Sequence, residues 1–422
     1  MARRLTVTDG YSVINAMATE MFGSGAIQAV DISSFVSCGE SILATGTENV
    51  INTLSLVSSR DLVAIRPYKA KFRLIDALDS GMFSNRVRKI SYYAKNAVPT
   101  GASNTQLFTN LAMDFDNGIN LDSSTPPVPQ STESMWLQST PVTYQAWFGG
   151  AIEWQYPYTL YENQLKQAFR SPEDWAMFLN GFLVSCQNDI ETEKEAFSRI
   201  LLCNAIAGTL DLGSDMPGSS FNLTTECNTR WGTSYTTAQI LQSHFAEMLA
   251  VFVSCVKTVS DKMEERSLLY HWSPAKTVNG VSYVLPRQTR KEDQKMFMIS
   301  EFWNDAEATV MPAIFNPQYL QLENFEKVAY WQNINNPYAI KMTPAIPDTS
   351  DPTAQTVGTA VDEAYILGCL FDRDAIMVDF HLEDVSSTPQ EARKHYRTIW
   401  NTINKNPLWD ATENFVVFYM AD

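Results

Sequence analysis

The groups in this sequence that could do chemistry are four histidines, six cysteines and a few acidic clusters, and none is spaced to do it. His244, His271, His381 and His395 lack a second His or Cys at the step that brings two ligands to one metal. Gly213, Gly218 and the serines around them are spaced like a phosphate-cradling loop. The Lys that would reach the phosphates is missing, so a turn is expected. Asp114-Phe115-Asp116-Asn117-Gly118 begins like a calcium loop, yet its Gly comes one position early and Thr125 stands where the closing Glu belongs. A hairpin turn is the better reading. Asp372, Arg373, Asp374 and Asp379 gather carboxylates at a strand entrance, where a local ion pair or turn is expected. Asn222-Leu223-Thr224 matches a glycosylation acceptor, which has meaning only on a secreted chain. No metal or cofactor is expected. The paired carboxylates of a glycoside hydrolase need no motif, so acidic charge combined with many aromatics keeps a glycan-active hydrolase in view.

The chain of 422 residues is 45% hydrophobic and 12% aromatic, enough for real cores and for two or three domains. A net charge of −16 argues against a protein whose first task is to grip phosphates. The charge is also uneven: up to Lys95 there are 11 basic and 8 acidic residues, and beyond it 20 and 39. Such asymmetry fits an N-terminal part that lies on an acidic surface, of its own chain or of a neighbour. Cys38, Cys186, Cys203, Cys227, Cys255 and Cys369 read as buried free thiols in a reducing compartment. No apolar stretch follows the basic start, so no signal peptide is expected, and the longest apolar run, near 248–256, is too short to span a bilayer. A cytoplasmic site of synthesis follows.

The elements are organised around residues 171–208. Ser171 is a good N-cap, Pro172 suits the first helical position, Glu173 and Asp174 place negative charge at the positive end, and Gly208 supplies a stop. Trp175, Phe178, Leu179, Phe182, Cys186, Ile190, Phe197, Ile200 and Leu201 form the apolar stripe. The middle, from Gln187 to Glu195, is polar, so a strut joining two packing units is expected. Before it, Thr8 and Asp9 cap a short helix carrying Val13, Ile14, Met17 and Met21. Gly23, Gly25 and Gly39 mark loose connections, and a second helical pattern runs from Thr47 towards Leu62. Residues 86–95, with Arg86, Arg88, Lys89 and Lys95 among β-formers, are answered by 142–148 across a segment rich in Ser, Thr, Asn and Pro. This predicts a long hairpin with an irregular tip, marginal in water unless a surface supports it.

Behind the long helix, 210–231 reads as connection, Thr236 or Thr237 opens a core helix ending near Asp261, 271–331 reads as short strands and loops, and 343–360 as a flexible loop. Ile376, Val378, Phe380 and Leu382 alternate as a half-buried strand. Thr388-Pro389-Gln390-Glu391 predicts a capped helix carrying Ala392, Tyr396, Ile399, Trp400 and Ile403, stopped at Pro407, and 415–420 is a closing strand.

In this order of elements the chain resembles the major capsid proteins of tailed bacteriophages, with the Hong Kong 97 capsid fold. The resemblance is carried by 171–208 as spine helix, 68–170 as extended loop, and Leu370-Phe371-Asp372-Arg373-Asp374-Ala375-Ile376 with its helix and terminal strand. It implies an α+β fold divided into an N-terminal arm (1–67), an extended β-hairpin loop (68–170), a spine helix (171–208), an axial-type α+β domain (209–364) and a peripheral strand-helix-strand (365–422). It further implies a structural protein without enzymatic activity that forms hexamers and pentamers. These would close into an icosahedral virion shell around double-stranded DNA, bound without sequence specificity, in the host cytoplasm. Partners would be the chain itself, scaffolding and portal proteins and decoration proteins. Inter-subunit contacts are expected between Arg86, Arg88, Lys89 and Lys95 of one subunit and Glu191, Glu193 and Glu195 of the next. A tail or baseplate component is the alternative within phage structural proteins. Because the arm begins almost at Met1, a separate scaffolding protein is expected. No Lys and Asn can be matched to the pair that cross-links some relatives, so the shell should be non-covalent. Denatured particles analysed by mass spectrometry should yield single chains only, and a ladder of joined subunits would contradict this.

Overall fold

The computed structural model describes residues 7–23, 28–44, 72, 75–78, 87–94, 141–149, 152–169, 172–274, 276–278, 281–309, 324–348, 354–389, 391 and 393–422. Helices α1 (Val7–Phe22) and α2 (Ile32–Ala44) come first. Strands β1 (Asp76–Leu78), β2 (Val87–Tyr92), β3 (Thr143–Phe148) and β4 (Ile152–Tyr161) follow, then α3 (Glu162–Ala168) and the long helix α4 (Pro172–Leu212). Next are β5 (Ser220–Asn222), α5 (Leu223–Trp231), α6 (Thr237–Ser243), α7 (Phe245–Glu264), β6 (Lys276–Val278), β7 (Val281–Tyr283), β8 (Gln294–Ile299), α8 (Ser300–Thr309) and β9 (Asn324–Val328). The chain closes with β10 (Ile340–Met342), β11 (Ala345–Pro347), β12 (Gln355–Val357), β13 (Val361–Glu363), β14 (Ile366–Asp372), β15 (Ile376–Ser387), β16 (Tyr396–Trp409) and β17 (Phe415–Tyr419).

Two sheets meet end to end. One has the order β5-β17-β14-β8-β9, and every residue of β8 and β14 is buried. That fits their near-continuous apolar sequences, since a central strand covered on both faces has no polar side to show. Helix α7 packs on this sheet through Phe252, edge-on to Phe418, and the C-terminal part of α4 joins the same core through Leu201, Leu202 and Ile206. The other sheet has the order β1-β15-β16-β4. The connections between the sheets, β14 to β15 and β16 to β17, are bonded to each other: Asp372 N donates to Asn414 O and Asp410 N to Ala375 O, each at 2.9 Å.

The long helix has 41 residues and is about 62 Å long at 1.5 Å per residue. Its two ends belong to different cores. Trp175 and Phe178 pack with Ile14, Met17, Phe35 and Phe169 of the N-terminal region, whereas Leu201 onward lies in the main core. Between Phe178 and Phe197 no described side chain belongs to either cluster, as the polar middle requires. Two details differ from expectation. Gly208 does not stop the helix; it is a notch for Trp409, whose ring a Cβ at this position would meet at 2.2 Å. The stop is Gly213, whose φ of +43° suits a residue without Cβ. Ile200, placed in the buried stripe, is 62% exposed, because the face turned to the core passes through Leu201.

Further corrections share one cause, that tertiary pairing outweighs a local pattern. The capped helix expected from Thr388 to Ile403 is instead β16, the longest strand, hydrogen-bonded to β15 on one side and β4 on the other. Thr398, Ile399, Thr402 and Ile403 are β-branched and suit it. Pro407 sits inside this strand, past Lys405 where the pairing with β4 ends, so its missing N–H leaves no ladder bond open on that side. The terminal strand-helix-strand is therefore all strand. The core helix expected as one piece breaks at His244 into α6 and α7, which meet at 109°. His244 stacks on Tyr235 at 4.7 Å and bonds Glu247 at 2.8 Å, and these contacts hold the bend. The connection 210–231 contains β5 and α5, and Asn222 of the glycosylation-like triplet is the N-cap of α5, accepting from Thr224 N. The loop 343–360 contains the hairpin β11–β12, tied to α4 by Asn204 on Ala345. Helix α2 was unmarked in the sequence; the helix expected over 47–62 and the calcium-like 114–118 lie outside the described residues. The expected hairpin base and closing strand are present as β2–β3 and β17.

Gly208→Ala should cost about 1–3 kcal/mol by overpacking against Trp409, in line with core insertions generally. Urea unfolding of the variant would measure it, and an unchanged midpoint would mean the ring moves aside freely.

Candidate functional site: an outward hairpin face over a buried ion cluster

Strands β2 and β3 pair in antiparallel register, Arg88 opposite Trp147, Ile90 opposite Gln145 and Tyr92 opposite Thr143. Alternation then divides the hairpin into two faces. Val87, Lys89 and Ser91, with Tyr144, Ala146 and Phe148, turn to the body and close a small apolar cluster with Leu285 and Leu408. Arg88, Ile90, Tyr92, Gln145 and Trp147 turn outward. Ile90 is 43%, Trp147 45% and Tyr92 66% exposed, and the Arg88 guanidinium stands 5.6 Å from the centre of the Trp147 ring. A contiguous outward face of this kind, with two aromatics, an Ile and a stacked Arg, has the chemistry of a contact surface.

Beneath it lies a charge cluster at the junction of the two sheets. Lys89 Nζ is 2.6 Å from Asp410 Oδ2 and 2.6 Å from Glu413 Oε1. Arg287 pairs with Glu413 at 3.2 Å and donates to Ser91 Oγ at 2.8 Å and to Thr412 O at 2.9 Å. Thr412 donates to Asp410 Oδ1 through both its N and its Oγ1. Two cations and two carboxylates thus balance out of water, the condition under which buried charge is tolerated. Burial opposes the Lys89 charge, but Asp410 and Glu413 outweigh it and hold the amine above its ordinary value. Burial also raises Asp410, and Lys89 with Thr412 more than reverse this, leaving the carboxyl below the usual range. Glu413, desolvated beside Asp410, is raised. A polar chain continues from the same turn: Asn414 bonds Thr289, Thr289 bonds Asp372, and His271 faces Asn414 and lies 2.8 Å by Nε2 from Leu285 O.

The seven residues expected at subunit contacts separate accordingly. Arg88 faces outward. Lys89 does not; it is spent within its own chain, since neighbours on a strand point to opposite faces. Arg86 and Lys95 lie outside the described residues. On α4, Glu195 is buried and paired with Arg199 at 3.0 Å, Glu191 lies 3.9 Å from Lys194, and Glu193 is half-buried and acts electrostatically on the buried Lys405. Glu191 and Glu195, four apart, share a face that turns inward at Glu195, and Glu193, two from each, lies off it. The outward positions of the middle of α4 are Asp189, Thr192, Ala196 and Ile200. Ile90, Tyr92 and Trp147 were missed, although the parity of the strand marks them. Asp410 and Glu413 carried no local signal, because Lys89 lies more than 300 residues from them.

The candidate chemical groups are structural. His244 and His395 bond Glu247 and Glu162, Gly213 and Gly218 lie in a turn, and all six cysteines are buried thiols outside any disulfide. Among the described residues no group of three or more His, Cys, Asp or Glu could hold a metal, and no single helix is long and apolar enough to cross a membrane.

The family that this mixed helix-and-strand chain matches makes it a bacteriophage major capsid protein. The model of the Phi29-like phage major capsid protein family matches residues 91–419, and the chain belongs to that family. No curated protein matches it. Similar solved structures include the capsid of Staphylococcus phage Andhra, at 10% identity over 84% of this chain and 85% of that one, with a TM-score of 0.49. A chain of the bacteriophage P68 head fiber and inner core protein structure matches at 12% over 83% and 84%, with 0.48. The mature capsid of bacteriophage PhiM1 matches at 8% over 84% and 88%, with 0.42. The expected α+β class of the Hong Kong 97-like capsid fold stands.

His271 gives the site a pH dependence. Burial pushes its pKa below the ordinary 6.5, so the folded imidazole stays neutral while the unfolded one takes a proton. The stability it contributes is present above pH 6.5 and is lost as the pH falls below that value. Melting curves from pH 8 to 5 should show a falling Tm, and His271→Gln should flatten that fall even if it lowers stability throughout. An equal slope in the variant would contradict the assignment.

Proposed function

We propose that the chain assembles as hexamers and pentamers into a closed icosahedral shell around double-stranded DNA, and that the hairpin docks on the neighbouring subunit. The observation that carries this is the outward face Arg88, Ile90, Tyr92 and Trp147, whose apolar rings have no cover in their own chain among the described residues. Its receptor is the outward stripe of α4 on the next copy, Asp189, Thr192, Ala196 and Ile200, with Glu193 at its margin. The stripe supplies an apolar centre for Ile90 and Trp147 and carboxylates for Arg88, with Arg86 and Lys95 adding positive charge in the same segment. Such a contact is heterologous, one patch on a different patch, and heterologous contacts close into rings. The acidic balance of the rest of the chain keeps packaged DNA mobile instead of bound. Assembly takes place in the host cytoplasm with scaffolding and portal proteins, and the shell accepts decoration proteins.

Deleting residues 97–140 should leave a folded subunit that cannot close shells, seen as loss of the particle peak in light scattering with an unchanged core circular dichroism. Normal shells from the deletion would sink the hairpin's role. Charged rims act chiefly on association rate and salt sensitivity, so Arg88→Ala should slow assembly most at low salt.

A further inference from the structure

We propose that Lys89 is a positioning residue for assembly: it touches no neighbouring subunit but aims the side chains that do. The inference rests on the proposed docking of the hairpin on a second copy of this chain. A two-stranded hairpin is marginal by itself and takes its direction from what lies under it. The apolar part of that support, Tyr144, Ala146 and Phe148 on Leu285 and Leu408, is non-directional and allows sliding. The charged part is directional. Lys89 Nζ is held at 2.6 Å by each of two carboxylates on the turn 410–413, and two residues along the strand Ser91 Oγ accepts from Arg287, which grips the same turn. Two points of attachment on one face of β2 fix a direction.

The turn they reach is itself tied to both sheets. Asp410 N bonds Ala375 O and Asp372 N bonds Asn414 O, so the turn belongs to both sheets at once. Arg88, Ile90 and Tyr92 alternate with these anchored positions, and their outward aim is therefore set by the sheet junction through Lys89 and Ser91. The rest of the cluster answers the removal of Lys89 unequally. Lys89→Met leaves Asp410 and Glu413 with Arg287 alone, one negative charge in excess in a desolvated site, and that variant alone could misfold. Lys89→Met with Asp410→Asn restores the balance, Glu413 against Arg287 at 3.2 Å, while leaving the Lys89 tether cut.

The test uses the full chain with two readouts, amide exchange across the hairpin in unassembled subunits and electron microscopy under conditions where the wild type forms closed particles. In Lys89→Met/Asp410→Asn the strands β14 and β17 should exchange as in the wild type. Residues 87–92 and 143–148 should exchange about 10- to 100-fold faster, the span that loss of a charge-assisted bond corresponds to. Closed shells should give way to open or irregular assemblies, and Lys89→Arg should recover them in part. Hairpin exchange at the wild-type rate, or normal shells from the charge-balanced variant, would overturn the positioning role and leave Lys89 as charge balance only. Arg88→Ala/Trp147→Ala separates the two ideas: its hairpin should exchange normally while assembly fails. Normal assembly there would remove the docking reading, and with it anything for Lys89 to aim.

Discussion

Four charges taken out of water at the meeting of the two sheets set the geometry of this subunit. Lys89, Arg287 and the turn that carries Asp410 and Glu413 come from three separate stretches of chain, and none of the four charges would be stable there without the others. A buried pair of this kind adds little net stability, since desolvation consumes most of the attraction, but it penalises every arrangement in which one partner is missing. The outcome is specificity of angle. The hairpin base can lie on the apolar patch formed with Leu285 and Leu408 in many ways, and only one of them satisfies both carboxylates and both cations.

The long helix solves a different problem. Here two cores are separated and joined by α4, whose apolar ends are buried in each and whose middle is polar. The middle is not left to solvent alone. Lys405 of β16, almost fully buried, sits among Trp154, Tyr156 and Phe197 and bonds the Tyr156 hydroxyl, so that a cation among aromatic rings fastens the helix to the second sheet where no aliphatic stripe exists.

Much of this was legible in the sequence because it is local. The helix start at Pro172, the polar run from Gln187 to Glu195, the cross-matching of 86–95 with 142–148 and the strand from Ile376 are encoded within a few residues, and these elements are present, although Asp379, expected on the open side of its strand, is fully buried. What misled was local as well. Thr388-Pro389-Gln390-Glu391 followed by Tyr396, Ile399, Trp400 and Ile403 satisfies a helix template, yet the same residues are β-branched or aromatic and have a long strand waiting on each side. Gly208 looked like a stop because only Trp409, two hundred residues on, explains it. The contact residues were half legible: strand parity separates Arg88 from Lys89, whereas Asp410 and Glu413 become visible only when both turns are brought together.

In the proposed shell, one subunit's hairpin face is completed by its neighbour's long helix. Electron cryomicroscopy of the assembled shell tests it most directly, at a resolution that shows side chains. The account requires Arg88, Ile90 and Trp147 of each subunit to lie on the 189–200 stretch of the adjacent helix, with Lys89 still between Asp410 and Glu413. A shell in which that hairpin face is bare to solvent, or in which the helix stripe is covered by some other element, would contradict it.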